Sequence, residues 1–201
     1  SAGEKSEYVP VGYSSSVDGL TVTNKHVPET KSVTVTKIWD DNDNQDGKRP
    51  ENITLTLYKT VDGVKSEAGS QTFNGSGSEW TYTFTDLPVY EAGKQISYTV
   101  EEETTNVPNG YTSSVNGMTV TNKHIPELTS VTVTKKWDDN SNQDAKRPAN
   151  IMLTLYKTVG GVTSEVKSEI FNGSGDEWLC TFTDLPVYEG GKRISYSADE
   201  K

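Results

Sequence analysis

The sequence predicts an all-β protein made of tandem immunoglobulin-like β-sandwich domains, and three observations carry that reading. The first is a repeat: Lys37 and Lys135 stand 98 residues apart, as do Glu4, Glu102 and Glu200, and Asn24 and Asn122. A period this long exceeds a solenoid unit and suits independent domains, each able to bury its own core. The second is composition, since each period is rich in Thr, Val, Tyr and Ser and shows no sustained helical periodicity. The third is punctuation: Asp/Asn/Gly clusters and prolines cut each period into roughly seven short alternating runs, the spacing of a sandwich.

The first strand of each copy spans 32–39 and 130–137. Side chains alternate along a strand, so Val33, Val35, Lys37 and Trp39 share one face, and Val131, Val133, Lys135 and Trp137 repeat it. An Asp/Asn loop, Asp40 to Pro50 in the first copy, ends the pairing. Ile53-Thr54-Leu55-Thr56-Leu57-Tyr58 and Ile151-Met152-Leu153-Thr154-Leu155-Tyr156 give the second strand, and a Gly-bearing turn leads to a third near Ser70–Phe73. Asn74-Gly75-Ser76-Gly77 and Asn172-Gly173-Ser174-Gly175 mark a tight turn before Trp80-Tyr82-Phe84 and Trp178-Cys180-Phe182. Leu87-Pro88-Val89-Tyr90 connects to a strand that puts Ile96, Tyr98, Val100 and Glu102 on one face. The last strand aligns Met118, Val120, Asn122 and His124, and Pro126-Glu127-Leu128 links the copies.

The expected organisation is a complete repeat over 31–126, flanked by parts of another. Residues 129–201 form the N-terminal part of a repeat that stops at Glu200-Lys201 before its asparagine strand, and the counterpart of that strand, Gly19–Asn24, lies in 1–28. Ser1-Ala2-Gly3-Glu4-Lys5 nearly duplicates Ser197-Ala198-Asp199-Glu200-Lys201. One repeat is therefore split between the two chain ends.

A formal net charge of −10 argues against a nucleic-acid partner, because phosphate binding needs a basic surface. No apolar run approaches the length of a spanning helix, so no membrane contact is expected. The single cysteine, Cys180, has no partner for an internal disulfide and shares its parity with Trp178 and Phe182, which reads as a buried thiol. Asn42-x-Asn44-x-Asp46-Gly47 mimics the start of a calcium loop, but Ile53 stands where a bidentate glutamate is needed and Ala145 replaces the loop glycine in the other copy, so neither metal nor cofactor is expected. His26 and His124 have no nucleophile at a strained turn beside them, and Trp39, Trp80, Trp137 and Trp178 share parity with Val and Phe, as core residues do.

The polar residues on core faces carry the chemistry. A core-facing lysine commonly snorkels or pairs with a carboxylate, but an ion pair has no need of the asparagine on the last strand. All three types serve one reaction. Desolvation lowers the lysine pKa, giving a neutral nucleophile, and raises that of the glutamate, giving an acid that hydrogen-bonds the carboxamide oxygen. The amine attacks the Asn carbonyl carbon, ammonia leaves, and a neutral amide remains in a dry core.

The run Val-Thr-Lys-x-Trp-Asp-Asp, the Asn-Gln-Asp-(Gly/Ala)-Lys-Arg-Pro that follows it, Asp-Leu-Pro-Val-Tyr, Ile-Ser-Tyr-x-x-x-Glu and Val-Thr-Asn-Lys-His resemble the collagen-adhesin B-type repeats of Gram-positive surface proteins, across essentially the whole chain. The resemblance implies a reverse immunoglobulin sandwich, cell-wall anchoring outside the cell, a stalk role beneath an adhesive head, and spontaneous Lys–Asn isopeptide bonds. Carried over, the bond joins Lys37 to Asn122 with Glu102 assisting, and Lys135 is the second amine. For the split repeat, residues 1–26 of one molecule are expected to complete 130–201 of the next, with Asn24 facing Lys135 and Glu4 or Glu200 as the acid. The chain is expected to be no turnover enzyme, its only reaction being this single self-directed step. The alternative is a ligand-binding adhesin domain for a host matrix protein or glycan; no insertion dedicated to a pocket marks either copy.

Overall fold

The computed structural model describes all residues except 1, 2, 4, 6, 7, 76, 104–106 and 201. It opens with a hairpin, β1 (Tyr13–Asp18) and β2 (Thr21–His26). Nine strands follow: β3 (Thr30–Asp40), β4 (Asn52–Val61), β5 (Val64–Asn74), β6 (Glu79–Pro88), β7 (Tyr90–Glu91), β8 (Lys94–Gln95), β9 (Ser97–Glu102), β10 (Thr112–Asn116) and β11 (Thr119–Lys123). The second copy contributes β12 (Leu128–Lys136), β13 (Ile151–Val159), β14 (Val162–Phe171), β15 (Glu177–Pro186), β16 (Tyr188–Glu189), β17 (Lys192–Arg193) and β18 (Ser195–Glu200).

In the first copy one sheet runs β10-β11-β3-β6 and the other β5-β4-β9. Their facing sides enclose Val35, Trp39, Leu55, Leu57, Tyr98, Val100 and Val120, the alternating residues of each strand, as period-2 patterning requires. β11 returns beside β3 in parallel, so the first and last strands are neighbours, with Val120 opposite Lys37 and Asn122 opposite Trp39. The second copy repeats two of these units, β12-β15 and β14-β13-β18.

The third strand is longer than its sequence suggests. Asp62 and Gly63 both have positive φ, 49° and 83°, which makes a two-residue turn that matches strand twist and pairs Val61 with Val64. The Leu-Pro-Val-Tyr connection also hides a short hairpin, β7-β8, closed by Ala92 and Gly93. Tyr82 is 40% exposed and packs edge-on against Phe84, whereas its counterpart Cys180 is 1% exposed. Burial pushes the Cys180 thiol pKa up, which suppresses the reactive thiolate. Trp39 and Trp178 are core residues, while Trp80 and Trp137 are half-buried.

Candidate functional site

β3, β9 and β11 converge on one buried cluster. Lys37 is the central core-facing residue of β3 and is fully buried, as is Asn122 on β11; Glu102 ends β9 in the opposite sheet, with its side chain also fully inside. The Lys37 Nζ lies 3.7 Å from Glu102 Oε2, and Asn122 Nδ2 donates to Glu102 Oε1 at 2.9 Å. One carboxyl thus touches both the amine and the carboxamide. The amine also donates to the Ile38 carbonyl at 3.3 Å and sits 4.4 Å from the Trp39 ring centroid. Desolvation lowers the Lys37 pKa to about 8, against the opposing pull of Glu102 and Asp41. Asn122 Oδ1 is buried without a hydrogen-bond partner. An orphan carbonyl at such depth is a liability unless its chemistry uses it.

Two supports escaped the sequence reading. Ser113 on β10 donates from Oγ to Glu102 Oε2 at 3.1 Å, orienting the carboxyl from the edge strand. Its signal was available, because Tyr111-Thr112-Ser113-Ser114-Val115 recurs as Tyr13-Ser14-Ser15-Ser16-Val17. The other is a capped ion pair at the end of β3: Arg49 Nε donates to Asp41 Oδ2 at 2.7 Å, and the Tyr111 hydroxyl donates to the same oxygen at 2.6 Å. Desolvation alone would raise the Asp41 pKa, but the bonds from Arg49, Tyr111 and the Asn44 backbone outweigh it and hold it low. In the loop that mimics a calcium site, Asn44 Oδ1 takes the Arg49 backbone N–H at 3.0 Å, and Asp46 Oδ2 faces His124 Nε2 at 2.9 Å.

The second set of site residues is only partly assembled. Lys135 Nζ donates to Glu200 Oε2 at 2.7 Å and lies 4.5 Å from the Trp137 ring centroid, the arrangement of Lys37 without a carboxamide. Asn24 sits on the exposed hairpin, opposite Ser15, and among the described residues β2 pairs with β1 alone. Glu4 lies outside the described residues.

The family model for the Cna protein B-type domain matches residues 33–123 and again 131–201. The chain belongs to the Cna B-type domain family. A collagen adhesin of Staphylococcus aureus is 45% identical over 195 residues, covering 94% of this chain and 15% of that protein, so the chain spans a small part of its relative's length. A crystal structure of two B repeat units of the S. aureus collagen-binding protein is 41% identical, with a TM-score of 0.70 over 95% of this chain and 50% of that one. The protein is therefore a tandem of B-type, immunoglobulin-like repeats similar to those of a staphylococcal surface adhesin. The cluster brings together residues of the first and last strands of one repeat, β3 and β11, with Glu102 of the opposite sheet.

Proposed function

We propose that this chain is a structural stalk module of a bacterial surface adhesin, exposed outside the cell and anchored to its wall, in which Lys37 and Asn122 are joined by an isopeptide bond with Glu102 as the acid. The observation that carries the reading is a buried amine and a buried carboxamide touching the same carboxyl. Turning the Asn122 carboxamide over would bring its orphan oxygen to Glu102, whose proton then polarises the carbonyl. The neutral Lys37 amine adds to the carbonyl carbon, the Glu102 carboxyl shuttles the amine proton to the leaving nitrogen, and ammonia departs. Tension entering β3 and leaving β11 would run through that bond and spare the strands between. Any contact with collagen or another matrix component belongs, on this reading, to other parts of a parent protein. The test is the intact mass under denaturing conditions, expected to be lighter than the sequence mass by one ammonia; an unchanged mass overturns the proposal.

A second reading extends the first to the other lysine. Thr21-Val22-Thr23-Asn24-Lys25-His26 is identical to Thr119-Val120-Thr121-Asn122-Lys123-His124, yet Val22 is 41% exposed and Val120 fully buried. Val131 to Lys135 likewise repeats Val33 to Lys37, and its inner face is only half-buried. In a polypeptide of these 201 residues we propose that the hairpin β1-β2 of one molecule docks beside β12 of the next, placing Asn24 against Lys135, with the nearby Glu200 rather than Glu4 as the acid. Such a head-to-tail contact propagates instead of closing. A denaturing gel is expected to show a ladder of covalent multimers that Asn24→Ala abolishes. A single monomer band at high concentration would leave no covalent assembly to explain.

A further inference from the structure

The junction between the repeats holds contacts that the crosslink does not use. Gln45-Asp46-Gly47 in the first copy becomes Gln143-Asp144-Ala145 in the second. Both loops have the same conformation: Gly47 N donates to Asn44 O and Ala145 N to Asn142 O, each at 2.9 Å, and the φ values at 42–44 and 140–142 agree within a few degrees. Alanine at this position, with φ 50°, therefore leaves the loop intact. What differs is what sits against it.

In the first copy the loop is in contact with the following repeat. Gln45 O accepts a hydrogen bond from Gly191 N at 3.0 Å, where Gly190 and Gly191 form the turn between β16 and β17. The backbones meet so closely that a Cβ on Gly47 would lie 2.4 Å from Gly191 Cα, a distance no real side chain tolerates. Beside this contact, Asp46 is buried and its Oδ2 accepts the backbone N–H of linker residue Glu127 at 3.0 Å. The same oxygen lies 2.9 Å from His124 Nε2, and His124 Nδ1 is 2.7 Å from Gly110 O, which fixes the ring within the first repeat. The Glu127 carbonyl in turn accepts from Val187 N at 3.0 Å. One linker residue, Glu127, is thus gripped by the first repeat through its N–H and by the second through its C=O. Asp144, the counterpart of Asp46, is exposed, and Gly93, the counterpart of Gly191, has nothing within 4 Å of a built Cβ.

We propose that Gln45-Asp46-Gly47, Glu127 and Gly191 form a fixed joint that sets the angle between adjacent repeats, and that glycine rather than alanine at the loop position admits the turn of a following repeat. Contacts between domains of one chain default to mobility unless specific bonds hold them. Here the holding bonds are backbone bonds, and they survive only if the two backbones can touch. A loop carrying alanine, such as that at Ala145, cannot receive a glycine turn in this way. The partner surface is correspondingly specific: a two-glycine β-hairpin turn presented by the next repeat.

Residual dipolar couplings from the two repeats of the whole chain provide the test. In the wild type one alignment tensor is expected to fit both repeats, and Gly47→Ala should require two, with amide shifts remote from the junction unchanged. Gly93→Ala, at a similar φ of 73° but with no neighbour, should keep one tensor and so separates backbone strain from the lost contact. If Gly47→Ala perturbs the first repeat itself, Gly191→Ala delivers the clash from the other side. A single tensor in either junction variant, or two in the wild type, overturns the joint. The ammonia loss at Lys37 is expected in all of these variants, so the joint and the crosslink are judged separately.

Discussion

Glu102→Ala is expected to be the most damaging single substitution at the buried cluster, worse than Lys37→Met. Both prevent the isopeptide bond and with it a closed loop running from residue 37 to residue 122. If the amide acts as a disulfide does in the chain-entropy description, losing it costs about 4–5 kcal/mol. Lys37→Met removes the buried amine along with the bond and leaves a side chain of similar length among Trp39, Val35 and Val120. Glu102→Ala instead strands a fully buried amine without its carboxyl partner, a class of change that costs about 3–5 kcal/mol more when the charge persists. Loss of the proton relieves part of that, because the Lys37 pKa already stands near 8 and each further unit costs about 1.4 kcal/mol at most. The first repeat should therefore melt about 15–40 °C lower in Lys37→Met, taking the usual response of a domain this size, and lower still in Glu102→Ala. Calorimetry alongside denatured mass checks both halves. Ammonia loss persisting in Glu102→Ala, or Lys37→Met melting with the wild type, would remove the basis for the assignment.

Bond formation should slow about tenfold for each pH unit below about 8, since only the neutral amine is nucleophilic and its fraction falls in that proportion. Burial is the larger cause of the lowered pKa, and Glu102 works against it. Following the mass of freshly synthesised chain against time at pH 5, 6, 7 and 8 would show the slope directly. In Asn122→Ala, which cannot crosslink, the same shift affects folding. Between about 8 and 10.5 the unfolded lysine keeps a proton that the folded one has lost, so stability rises with pH across that window. A formation rate that does not change with pH would mean that the amine is not the titrating nucleophile.

Much of this protein was legible because β-structure writes a local code. Strand alternation put Val35, Lys37 and Trp39 on one face, Tyr98, Val100 and Glu102 on another and Val120 and Asn122 on a third, and each of these residues is buried. The repeat then marked the same positions twice. What alternation does not encode is which faces meet, because that depends on strands distant in sequence coming together. Ser113 reaching Glu102 from β10, Tyr111 closing over Asp41, and the turn at Gly191 fitting against Gly47 are all of that kind. The plainest instance is the hexapeptide Thr-Val-Thr-Asn-Lys-His, present twice without a single difference. By itself the sequence determined that Val22 and Asn24, like Val120 and Asn122, lie on one side of a strand. Only the tertiary structure decided that one copy is sealed beside β3 with its asparagine on a glutamate, while the other stands in an exposed hairpin. The reason is physical: a strand's inner face becomes a core only when a neighbouring edge supplies its hydrogen bonds and excludes water, and among the described residues β11 has β3 beside it whereas β2 pairs with β1 alone.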